Sequence, residues 1–119
     1  MKMPNGNLLY RRGEIWWVRF DPSLGVEARK TRAALILQND LGNKRSSLTT
    51  VAPFLAPKSY PFVVNVRPST TNNLDRQRGL HLSQIRAVDA IRVESKLGVL
   101  ENDYWNDIER AIAIQLGFL

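Results

Sequence analysis

The chain has 119 residues, 44% hydrophobic and 24% charged, an ordinary globular composition that fits one domain with its own core. It has no cysteine and one histidine, His81, which excludes disulfides, thiolate metal sites and multi-histidine metal sites. Its net charge of +6 is one-sided: residues 1–60 carry ten Lys/Arg against four Asp/Glu, and residues 61–119 carry seven of each. That asymmetry suggests a polyanion-binding face, with an acidic protein partner as the alternative.

The N-terminus, Met1 to Asn7, has no apolar signal-peptide core, and no apolar run reaches membrane-spanning length. The expectation is a cytoplasmic protein with no membrane partner. Residues 1–10 read as a flexible tail and 11–119 as a single domain.

Glu14 to Phe20 is rich in aromatic and β-branched residues and predicts a strand. Alternation sets Trp16, Val18 and Phe20 on one face and Ile15, Trp17 and Arg19 on the other. Asp21-Pro22-Ser23 ends it, and a long loop over 21–31 follows. That loop holds three cations in four residues, Arg29, Lys30 and Arg32, before the apolar run Ala33 to Leu37. A short apolar run bounded by turn residues predicts a buried strand, here over 33–38, with fixed positive charge at its mouth. A phosphate is the natural ligand of such a cluster.

Asn39 to Ser47 reads as a polar connection, and Leu48 to Leu55 as a third strand that Pro53 ends or sets at an edge. A fourth strand is expected over Tyr60 to Val66, a mobile polar loop over Arg67 to Arg78, and short strands over 79–83 and 92–99. Residues 84–89 continue the first of these or bend away. From about 103 the period becomes helical: Trp105, Ile108, Ile112 and Leu116 form one stripe, Asn102 or Asp103 can cap it, and Gly117 ends it. The pattern predicts a small, mainly antiparallel α+β domain built on a barrel-like sheet with a C-terminal helix.

Several pieces, in one order over residues 11–117, resemble the MazF/PemK toxin family. Arg12-Gly13-Glu14-Ile15-Trp16-Trp17-Val18 is similar to its opening strand. Phe20-Asp21-Pro22, Gly25-Val26-Glu27 and Lys30-Thr31-Arg32-Ala33-Ala34-Leu35-Ile36 follow its next segment. Val51-Ala52-Pro53, Lys58-Ser59-Tyr60-Pro61-Phe62 and Gln84-Ile85-Arg86-Ala87-Val88-Asp89 resemble its later motifs. The resemblance implies an SH3-like antiparallel barrel of the CcdB/PemK type, and a homodimer. It further implies a type II toxin–antitoxin endoribonuclease, independent of metal or other cofactor. Such an enzyme cleaves single-stranded RNA to 2′,3′-cyclic phosphate and 5′-hydroxyl ends, and a cognate antitoxin restrains it.

Metal-free RNA cleavage needs help in removing the 2′-hydroxyl proton, charge stabilisation on the phosphorane, and a proton for the leaving 5′-oxygen. Arg32 aligns with the family's catalytic arginine, and its guanidinium suits charge stabilisation. Glu27 matches the loop glutamate, which either orients Arg32 or acts as a base. Phe20 and Tyr60, with Trp17, are candidates to stack unpaired bases. Arg29, Lys30, Lys58 and Arg86 are candidate phosphate contacts. His81 lies away from these motifs.

Three positions depart from the family pattern: Ala33 stands where it has proline, Ser83 where it has a carboxylate, and Leu55 where it has a catalytic threonine or serine. Leucine cannot move or position a proton. A neighbour (Thr49, Thr50 or Ser59) replaces it, or activity is reduced, or the chain binds without cutting. A CcdB-like gyrase poison is a further alternative.

Overall fold

The computed structural model describes residues 9–119. Seven strands form one antiparallel sheet: β1 (Glu14–Arg19), β2 (Thr31–Ile36), β3 (Leu48–Leu55), β4 (Val63–Val66), β5 (Arg78–His81), β6 (Arg86–Asp89) and β7 (Val93–Val99). The order is β4-β5-β3-β2-β1-β7, with β6 also on β3. Helix α1 (Asp40–Arg45) joins β2 to β3, and α2 (Trp105–Gln115) follows β7. The α+β class and the C-terminal helix agree with the sequence expectation.

Two apolar clusters lie on opposite faces of the central strands. One joins Ile15, Leu35, Phe54 and Leu80 to Ile108 of α2. The other holds Trp16, Val18, Phe20, Ala34, Ile36 and Val51. β2 serves both, so Ala33 to Ile36 are all buried. This explains the unbroken apolar run, because a strand covered on both faces has no polar alternation.

Pro53 neither ends β3 nor lies at an edge; it pairs with Ala34 of β2 in mid-sheet. On the other side, β3 pairs with β6 through Val51 and with β5 from Phe54 onward. Proline, with no donor to offer, occupies the gap between these partners.

The connection over 39–47 contains a helix the sequence reading missed. Asn39 caps it, its Oδ1 accepting from the Gly42 amide at 2.8 Å. Asn43 is buried inside, donating to the Gln38 carbonyl at 3.1 Å and accepting from the Thr49 hydroxyl at 2.7 Å. Six residues with a glycine and an asparagine have little intrinsic helicity, so side-chain bonds to the flanking strands hold this turn.

Three further boundaries differ. Asn102–Tyr104 form a 3-10 turn and Tyr104 precedes α2 without a side-chain cap, so neither Asn102 nor Asp103 caps the helix. The C-terminal stop is as expected: Gly117 has φ 82°, and the amides of Gly117 and Phe118 donate to the Ile114 and Ala113 carbonyls. The segment 67–78 is folded around buried Asn72, which donates to the Arg67 carbonyl at 2.8 Å and to Glu101 at 3.0 Å. Residues 1–8 of the expected tail lie outside the described residues, and Tyr10, the last residue assigned to it, is a core residue packed edge-on against Trp16.

Candidate active site

Arg29, Lys30 and Arg32 are all exposed where the β1–β2 loop enters β2. The backbone there is pinned: the Phe20 amide donates to the Lys30 carbonyl at 2.8 Å, and Ser23 Oγ donates to the Ala28 carbonyl at 2.7 Å. Across the sheet, Gln84 Oε1 accepts the Ala28 amide at 2.6 Å. Lys30 adopts φ 62°, a sharp turn just before the strand. Arg32 Nε donates to the Arg29 carbonyl at 3.2 Å, and among the described residues its terminal nitrogens have no hydrogen-bond partner.

The β2–β3 ladder pairs Ile36 with Val51, Leu35 with Ala52 and Ala34 with Pro53. The paired register ends at Ala34 and Pro53; Arg32 precedes it on β2, and Leu55 follows it on β3, where it pairs with Gly79 of β5. Both positions thus lie at the same end of the β2–β3 pair. Leu55 is half-buried and packs against the Phe20 cluster.

Two of the expected hydroxyl substitutes are engaged elsewhere. Thr49 is fully buried and bonded to Asn43, at the far end of β3 from Leu55. Thr50 sits beside it, with its hydroxyl toward Gln38 at 3.5 Å. Ser59 is exposed on the loop after β3.

Glu27 and Arg32 do not meet. Glu27 Oε1 accepts the Leu24 amide at 2.7 Å, and among the described residues no ion pair joins it to Arg32. The carboxylate closes its own turn and lines a cavity of about 410 Å³ with Ser83, Gln84 and Arg86. Arg32 lines a second cavity, of about 180 Å³, with Trp17, Thr31, Asn73, Asp75 and Arg78.

Phe20 is not a stacking surface. It is fully buried, and the Arg86 guanidinium lies 5.7 Å from its ring centroid. Alternation assigned it correctly to the face of Trp16 and Val18, but that face is the core. Arg86 also donates to the Phe20 carbonyl at 3.4 Å, so it braces the mouth as well as charging it.

Tyr60 is exposed but stacks on Phe62 at 5.3 Å and borders a groove beside α2, with Asp107 and Arg110, not the cavity of Arg32. Lys58 is exposed on a loop that Asn65 clamps through both Lys58 backbone groups, at 3.2 and 3.1 Å. His81 Nε2 donates to the Ala56 carbonyl at 2.8 Å, a structural role.

The sequence reading gave no role to Thr31, Asn73, Asp75 or Arg78. The only available signal was the Asp75-x-x-Arg78 spacing of opposite charges, which says nothing of which strand mouth the pair approaches.

The sequence model of the family described as PemK-like, MazF-like toxin of type II toxin-antitoxin system matches residues 11–116. The chain belongs to the PemK/MazF toxin family. Within that family, it is 32% identical over 112 residues to an Endoribonuclease MazF of Staphylococcus saprophyticus, covering 92% of each chain. Solved MazF structures share the fold. One from Deinococcus radiodurans aligns with TM-score 0.77 at 24% identity, covering 91% of this chain and 96% of that one. A mycobacterial endoribonuclease, solved in complex with its cognate antitoxin, aligns with TM-score 0.74 at 16% identity, covering 92% and 97%. This PemK/MazF chain thus has the barrel that the resemblance implied, with its cationic loop at the mouth of β2.

Proposed function

We propose that this PemK/MazF chain is the toxin of a type II toxin–antitoxin pair, acting in the cytoplasm as a homodimeric, metal-independent endoribonuclease on single-stranded RNA. The observation that carries this reading is Arg32, exposed at a pinned strand mouth with Arg29 and Lys30 in a chain of the PemK/MazF family. The curated MazF relative and the antitoxin complex of a fold neighbour support the activity and the partner.

The reaction is an attack of the RNA 2′-oxygen on the adjacent phosphorus. A P–O2′ bond forms and the P–O5′ bond breaks. The products are a 2′,3′-cyclic phosphate and a 5′-hydroxyl. The 2′ proton leaves to solvent and the 5′-oxygen gains one. Arg32 stabilises the charge that develops on the non-bridging oxygens, where fixed donors act most strongly. Its guanidinium stays protonated and is not the base.

Leu55 supports a second reading, a weakened enzyme that binds RNA or antitoxin with little cutting, because no side-chain hydroxyl stands at that position. One experiment decides. Purified protein is incubated with a long single-stranded RNA in EDTA, beside Arg32→Ala. Cutting that survives chelation and falls by about 100-fold or more in the variant supports the enzyme, on the scale of losing one preorganised transition-state donor. Binding without cutting by the unaltered protein supports the second reading. Neither binding nor cutting would reject both, and arrest of a supercoiling reaction would revive a gyrase poison.

A further inference from the structure

The cavity beside Arg32 has a lining that phosphate chemistry does not explain. Arg78, at the start of β5, reaches it together with Asp75 from the preceding loop. The two side chains form a fork: Arg78 Nε donates to Asp75 Oδ1 at 3.0 Å, and Nη2 to Oδ2 at 2.8 Å. This bond to the guanidinium holds the Asp75 carboxyl below its ordinary pKa. Trp17 forms part of the wall and is 38% exposed, an unusual position for an indole in the middle of a strand.

The fork occupies one edge of the guanidinium. The other edge, Nη1 with the second hydrogen of Nη2, remains, and among the described residues Nη1 meets no protein acceptor. A guanidinium already neutralised by a carboxylate is a poor trap for a phosphate, since the carboxylate repels it. The directional N–H donors remain, and the fork fixes their orientation in advance. Such a group suits a neutral partner with two adjacent acceptors. Among the nucleobases, guanine presents this pair as O6 and N7, the usual bidentate partner of arginine. Trp17 supplies the apolar face on which an unpaired base stacks.

We propose that this cavity is a guanine-binding subsite beside the scissile phosphate. Arg78 reads the O6/N7 edge, Asp75 is the positioning residue that sets Arg78, and Trp17 is the stacking surface. The proposal rests on the ribonuclease reading, and it names the base preference of that site.

The test maps cut sites on a long single-stranded RNA for the unaltered protein, Arg78→Ala, Arg78→Lys and Asp75→Asn. The unaltered protein should show guanine at one fixed position next to the cut. Arg78→Ala should lose that preference by roughly 5- to 100-fold relative to the other bases. Arg78→Lys should fail to restore it, because an ammonium lacks the fork. Asp75→Asn should relax it partially.

A second arm needs no protein variant: RNA transcribed with 7-deazaguanosine lacks the N7 acceptor, and cutting at the guanine sites should fall roughly 5- to 10-fold. No fixed guanine, unchanged preferences in Arg78→Ala, or indifference to 7-deazaguanosine overturns the subsite and leaves the ribonuclease standing. An unaltered protein that cuts no RNA overturns the ribonuclease reading, and the subsite with it.

Discussion

Residue 55 is where a single side chain weighs most. It lies at the same end of the β2–β3 pair as Arg32, at the position where the resemblance to the family implies a hydroxyl. A half-buried leucine there packs against the Phe20 cluster but offers no proton donor or acceptor. Replacing Leu55 with threonine should therefore raise the cleavage rate, by roughly 100-fold if the hydroxyl completes general acid–base work. The accompanying loss of apolar contact should cost about 1 kcal/mol of stability. Single-turnover cleavage of one RNA by the two proteins measures the first effect, and urea denaturation the second. An unchanged rate would show that another group already serves this step. Leu55 and Arg32 both stand out in sequence as expected site positions, because each sits in a motif of fixed order. Phe20 was not: strand parity placed it beside Trp16 and Val18, but parity cannot say which face meets water.

Among the elements, α1 shows how side-chain bonds create structure that propensity does not. Asn43 serves the Gln38 carbonyl, the Gln38 amide, Asp40 and the Thr49 hydroxyl from one buried side chain. Asn43→Ala should cost roughly 1–3 kcal/mol, because it strands several of these partners at once. Thermal unfolding followed by far-ultraviolet circular dichroism would show it, and no shift in the midpoint would mean that water replaces the amide. The same network explains why Thr49 and Thr50 do not stand in for the missing hydroxyl, since they anchor the opposite end of β3. In sequence the segment reads as a connection, because every residue that stabilises it is polar and most of their partners lie outside it. The strands and α2 were far more legible, for their apolar periodicity records burial directly. Even so, the ladder and not composition set their ends: β2 begins at Thr31 and β4 at Val63.

For the molecule as a whole, part of the one-sided charge, Arg29, Lys30 and Arg32, lies exposed at the mouth of β2. Exposed cations there attract a single strand mainly by displacing its counterions, so affinity should fall steeply with salt. Each phosphate neutralised contributes roughly 0.7 to the slope of log affinity against log salt for single strands. Arg29→Ala combined with Lys30→Ala should then flatten that slope by about 1.4, measured by fluorescence anisotropy of a 2′-deoxy oligonucleotide that cannot be cut. An unchanged slope would place the bound strand elsewhere on the surface.

The sequence alone determined most of the strands, the buried run of β2, the C-terminal helix with its glycine stop, and the cations at a strand mouth. These are local or periodic properties, written in consecutive residues. Only the tertiary structure decided what stands around Arg32. It kept Glu27 apart in its own turn, turned Phe20 into the core, and brought Asp75 and Arg78 to the same cavity as Trp17. Those neighbours are distant in sequence, and their meeting depends on register and on the strand partner β3 takes at each step, which no local pattern encodes.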